Sequence, residues 1–132
     1  MARLRAGAAA RFRASFDRVV DILRTMPEAS NVYCKVIDSK PRLAVLVGEK
    51  YWLRAGNAAV ATTIVEERSG YTVVRVVSAG SKQGLLDFMD WGATKKHAES
   101  IIKKLSEALG VPAENYRYVD HMECSKTLFL DV

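Results

Sequence analysis

Apolar side chains recur at steps of three and four residues in two stretches of the chain. In the first, Phe12, Phe16, Val19, Val20, Leu23 and Met26 form one stripe, which predicts a helix over residues 8–26 stopped by Pro27. In the second, Ala98, Ile101, Ile102, Leu105 and Leu109 share one side, and Lys95, Lys96, Glu99, Lys103, Lys104 and Glu107 share the other. That pattern predicts a helix from Trp91 to Leu109, with Asp90 as its N-cap and Gly110 and Pro112 ending it. Between the two, β-branched runs are separated by turn residues. The strands predicted there are Asn31–Ile37, Arg42–Val47 continued as Glu49–Arg54 past a bend or bulge at Gly48, Ala58–Glu67 and Tyr71–Ser78. Their connections (residues 38–41, Gly56-Asn57 and Ser69-Gly70) are short, so successive strands are antiparallel neighbours. Beyond the second helix, Tyr116–His121 and Lys126–Asp131 alternate again, as a last hairpin.

These elements give an α+β fold: an antiparallel meander sheet with two helices packed on one face, in the order α-β-β-β-β-α-β-β. The 132 residues hold no internal repeat and no linker, which fits one α+β domain over 1–132. Hydrophobic residues at 49% and charged residues at 27% exclude a disordered chain. No apolar run approaches the roughly 20 residues that span a bilayer. The alanines at 8–10 have arginines on both sides, unlike a secretory leader, so a soluble, cytoplasmic protein with no membrane role is expected.

The net charge of +5 is uneven. Arg3, Arg5, Arg11, Arg13, Arg18 and Arg24 face only Asp17 and Asp21 in the first 24 residues, while the remainder is nearly balanced. On a helical wheel of residues 8–26 the arginines flank the apolar stripe on both sides and the two aspartates occupy the opposite centre. A helix that reads nucleic acid would instead gather its positive charge on one face. Cys34 and Cys124 lie 90 residues apart, with no CxxC spacing, and read as two buried thiols; a bridge between strands is the alternative.

Three groups of residues resemble a known pattern. They are Glu49, Lys50, Tyr51 and Trp52; Gly80 and Gly84; and Trp91, Gly92 and Ala93. Over about residues 45–109 the chain resembles a family of small prokaryotic α+β proteins known only as a domain of unknown function. That family carries an E-K-Y-aromatic strand, a G-x-x-x-G loop and a W-G-A helix start. Its loop tends to be a glycine run, from which Ser81 and Lys82 depart. The resemblance implies an α+β fold and supplies no catalytic residue, cofactor or substrate.

Read directly, the corner Gly80-Ser81-Lys82-Gln83-Gly84 is the leading candidate site. Its glycines let backbone N–H groups converge on an anion, Lys82 adds charge, and Asp87 and Trp91 would complete the lining. It is no P-loop, because six residues separate Gly84 from Trp91. The competing account is a strand-to-helix corner whose glycines take positive φ. Asp87, Asp90 and Glu49 could do acid–base work only in a pocket that raised one pKa. His121 and Glu123 would share a strand face with Cys124 opposite, which leaves a zinc site short, so that the distant His97 would have to complete it. Nothing in the sequence sets a serine beside a histidine. Tyr51 and Trp52 point to opposite sides of a strand, so with Trp91 and Arg54 they make at best half of an aromatic platform. No metal or cofactor is expected.

The runs RLAVLV and TTIV with TVVRVV put apolar residues on both faces of the sheet, and two helices cover only one face. The expected function is therefore a non-catalytic binding or self-associating module, a homo-oligomer with a dimer first. The alternative is a small-ligand or anion-binding protein, or a weak enzyme, using the Gly80–Gly84 corner. Nonspecific nucleic-acid binding through the arginine-rich N-terminus ranks third.

Overall fold

Four alanines near the N-terminus decide the architecture. Ala6, Ala8, Ala9 and Ala10 are all fully buried, and they belong to a strand, β1 (Arg3–Phe12), where the periodicity predicts a helix from residue 8. Alanine is a good helix former, but this segment is paired on both edges and covered on both faces, and tertiary pairing overrides the propensity. Only small side chains fit there. A Cβ added at Gly7 would stand 2.8 Å from Leu130 Cδ1. The computed structural model describes residues 3–52, 57–81 and 91–132.

The first helix, α1 (Phe16–Thr25), starts later than the stripe suggests, at Ser15, whose Oγ accepts the Arg18 N–H at 3.2 Å. It buries Phe16, Val19, Val20 and Leu23. Then come β2 (Asn31–Ile37), β3 (Leu43–Trp52), β4 (Asn57–Arg68) and β5 (Tyr71–Ser81), followed by α2 (Trp91–Leu109) and β6 (Glu114–Asp120). The α+β class and the element order from α1 to β6 match the expectation. The two ends differ. A strand precedes α1, and Cys124–Leu130 is a 3₁₀ helix, where a second tail strand was expected. With Leu128 and Phe129 exposed, only Leu130 of that segment is buried, so its apolar residues do not alternate between two faces as a strand's would.

Among the described residues the sheet has the order β2-β3-β4-β5-β1-β6, with every pair antiparallel. The meander β2 to β5 is extended by β1, which returns beside β5, and by β6 on its far edge. Both helices pack on one face. Their stripes, with Ala98, Ile101, Ile102 and Leu105 from α2, meet Ala8, Ala10, Phe12, Ala44, Leu46, Ala61, Val65, Val74 and Val76 of the sheet. At Gly48 the β3–β4 register runs on unbroken, and the irregularity lies opposite it, in β2 between Asn31 and Tyr33. Gly48 is instead required by the close approach of the 29–30 turn, because an added Cβ would overlap the Ala29 carbonyl.

Candidate interaction surface

Among the described residues, the face of the sheet away from the helices is covered over only part of its width. The 3₁₀ helix lies across β1 and β6, where Leu130 and Met122 join Ala9 and Val119, with Val77 of β5 and Val132 at the margin. Arg75 pins this cover to the sheet. Its Nε donates to the Leu130 carbonyl at 2.9 Å, its Nη1 pairs with Glu66 at 3.0 Å and its Nη2 lies 3.6 Å from Asp131. Half-buried, with 16% of its side chain exposed, this arginine is held by two charge-assisted hydrogen bonds and a longer ion pair.

Among the described residues the cover ends past Arg75. Strand pairing sets Tyr33, Val47, Thr62 and Val77 in one row across β2 to β5, with Lys35, Val45, Ile64 and Arg75 in the row to one side. Glu49, Val60 and Ala79 form the row on the other side. Within this block Tyr33 is 54% exposed, Val60 48% and Ile64 36%, an apolar field with no side chain of the fold above it among the described residues. Lys35 and Glu49 flank the central row as exposed charges. Beyond Asn31, every residue of β2 is exposed, and its outer edge is unpaired among the described residues.

The other side of the sheet holds a polar pair that the sequence reading missed. His97 is buried on α2 and its Nδ1 lies 3.5 Å from Ser78 Oγ on β5. Its Nε2 lies 3.1 Å from the Glu28 carbonyl. An Nε2–H donating to that carbonyl leaves Nδ1 to accept the Ser78 hydroxyl. A serine does stand beside a histidine, but both are enclosed, at 0% and 4% exposure, so the pair ties α2 to β5 and the 27–30 turn. His97 precedes Ile101 and Leu105 by four and eight residues, the spacing that places it on the buried stripe.

Nearby on β6, Tyr116 and Tyr118 lie beside Glu99 of α2. Burial pushes the Tyr116 phenol up to about 12, with Glu99 and then Tyr118 adding to the shift. Tyr118 is raised by burial, then by Asp120 and Glu99. At the start of β3, Arg42 stacks over the Phe16 ring at 4.6 Å and bridges Glu67 and Asp17, at 2.7 Å and 3.2 Å. The guanidinium holds the Glu67 carboxyl below its ordinary range.

Of the corner predicted as a ligand site, Gly80 and Ser81 close β5, with Gly80 between Ala59 of β4 and Leu4 of β1. Trp91 opens α2. Lys82, Gln83, Gly84, Asp87 and Asp90 lie outside the described residues, as does Arg54. Tyr51 and Trp52 are successive residues at the end of β3. Cys34 and Cys124 are free and exposed, a correction to the expectation of buried thiols. Cys34 is on the edge strand and Cys124 starts the 3₁₀ helix, and neither element buries the residue. His121 is exposed in a left-handed turn (φ 53°), and no three metal-ligating side chains come together among the described residues. No described helix is long and apolar enough to cross a membrane.

A family model described as a family of unknown function (DUF6054) matches residues 5–109, from β1 to the last residue of α2. Strand β6 and the 3₁₀ helix lie beyond the match. No curated protein matches the chain.

Proposed function

We propose that this chain, which belongs to the DUF6054 family of unknown function, is a non-catalytic, self-associating module that pairs with a second copy through the uncovered sheet face. The observation that carries this reading is the row arrangement of that face. Tyr33, Val47 and Thr62 form its centre, Lys35 lies to one side and Glu49 to the other. A two-fold axis along the central row would set Ile64 against Val60 of the second copy and Lys35 beside Glu49 of the second copy. One patch then matches itself in both shape and charge, as an isologous interface requires. Sheets packed this way stand about 10 Å apart, a distance that valine, isoleucine and tyrosine side chains fill. Pairing would take the exposed side chains of Tyr33, Val60 and Ile64 out of water together.

A cytoplasmic setting belongs to the same reading, because two exposed free thiols suit a reducing compartment. Charge reversal followed by size-exclusion chromatography with light scattering tests the pairing. Lys35→Glu alone, or Glu49→Lys alone, is expected to weaken the dimer roughly tenfold at low salt, since the symmetry repeats each clash. The double exchange is expected to restore it. Single and double variants that associate alike would remove this face from the interface.

A further inference from the structure

A second site is built where β1 ends beside the start of β6. A cleft of about 230 Å³ is lined there by Arg11, Arg13, Gly70, Tyr71, Glu114 and Asn115. We propose that it binds a compact oxyanion, a phosphate group or a carboxylate, between the guanidinium groups of Arg11 and Arg13.

Arg11 is the first reason. Arg13 has Glu114 as its carboxylate partner, whereas Arg11 is held over the Tyr71 ring at 4.7 Å. Its Nε is sealed from water and has no acceptor. The ring contact therefore holds a half-buried cation that makes no ion pair among the described residues, and its outer nitrogens are the donors left for a ligand. The second reason is the backbone. Pairing between β1 and β6 steps from Ala9↔Arg117 to Arg11↔Glu114, one extra residue on β6. Asn115 absorbs that residue in the left-handed region, at φ 53°. Bulges of this kind re-aim side chains beside functional sites, and a non-glycine residue is strained there. The third reason is that the cleft already performs the chemistry once. Glu114 places Oε2 2.9 Å from Arg13 Nε, an internal carboxylate on one of the two guanidiniums. With two cations and one anion in the lining, a charge remains for an incoming oxyanion, which would compete with Glu114. The volume is below the range of drug-sized pockets and suits a small ion.

The test titrates the isotope-labelled chain with sodium phosphate, and separately with sodium acetate, at constant ionic strength against chloride. The amide signals of Gly70, Tyr71 and Asn115 and the Arg11 Nε–H signal report binding. Saturable shifts are expected in the wild-type chain, with affinity raised severalfold by Glu114→Gln and lowered at least about tenfold by Arg11→Lys, which keeps the charge but loses the planar fork. Saturation by phosphate alone identifies a phosphoryl ligand, by acetate alone a carboxylate, and by both a general oxyanion site. Shifts that stay linear with either salt would overturn the proposal. So would equal affinities in the wild-type chain and the two variants.

Discussion

Replacing Gly48 with alanine isolates one contact on which the packing of α1 and its following turn depends. The added Cβ would overlap the Ala29 carbonyl oxygen, 2.9 Å from the carbonyl carbon and 3.1 Å from the Ser30 oxygen. An unstrained C···O contact needs about 3.3 Å, so a backbone segment must move by roughly 1 Å or more. Neither segment is free to do so. Ala29 N–H donates to the Met26 carbonyl at 3.1 Å, Glu49 N–H to the Ser30 carbonyl at 3.2 Å, and the Asn31 side-chain Nδ2 to the Leu23 carbonyl at 2.6 Å. Overpacking usually costs 1–3 kcal/mol, and an obstacle made of fixed backbone belongs at the upper end, at about 3 kcal/mol. At an m-value of about 1–3 kcal/mol/M, the urea midpoint falls by roughly 1–3 M. Gly70→Ala is the control. It meets no atom within 4 Å, but φ is +83°, so it costs only the left-handed backbone penalty, about 1 kcal/mol. A Gly48→Ala chain as stable as Gly70→Ala in urea unfolding followed by circular dichroism would refute the reasoning.

Phe16 is 2% exposed in the helix-side core, so Phe16→Ala is expected to cost about 3–5 kcal/mol, read in the same urea assay. Alkaline pH gives a signed outcome at Tyr116. Its phenol titrates near 12 when folded and near 10 when unfolded. The unfolded chain loses its proton first, so the associated stability is intact below about pH 10 and lost as pH rises toward 12. Tyr116→Phe is expected to flatten that fall, measured as urea midpoints across the interval. Arg75→Met removes the bond to the Leu130 carbonyl and both carboxylate pairs, so amides of residues 124–132 are expected to exchange with solvent faster. Unchanged exchange would show that Leu130 and Met122 hold the 3₁₀ helix without it.

The middle of the chain was legible because its signals are local. Strand β2 and helix α2 have the predicted limits, and β3 to β5 differ by a few end residues. Period, turn residues and strand length all lie within a few positions of one another there. The ends failed because their structure is decided at a distance. Phe12 and Phe16 are four residues apart and continue a helical stripe, yet one closes β1 and the other opens α1. The local sign of that junction is Ser15, a serine N-cap followed by Asp17 in the first turn. The tail similarly alternates in sequence and coils in space. For the interaction surface, apolar residues on both faces were readable from composition, but the matched positions of Lys35 and Glu49 exist only once the register is known. The oxyanion cleft was out of reach. Arg13 and its partner Glu114 lie 101 residues apart, and the apolar stripe assigns Arg11 to a helix although it stands in β1.

Sedimentation equilibrium of the wild-type chain over a micromolar concentration series decides whether the sheet face pairs two copies. Self-association through the sheet face predicts an apparent mass that rises with concentration toward twice 14.6 kDa, and an Ile64→Arg variant that stays at the single mass. A wild-type chain at 14.6 kDa at every concentration would contradict it.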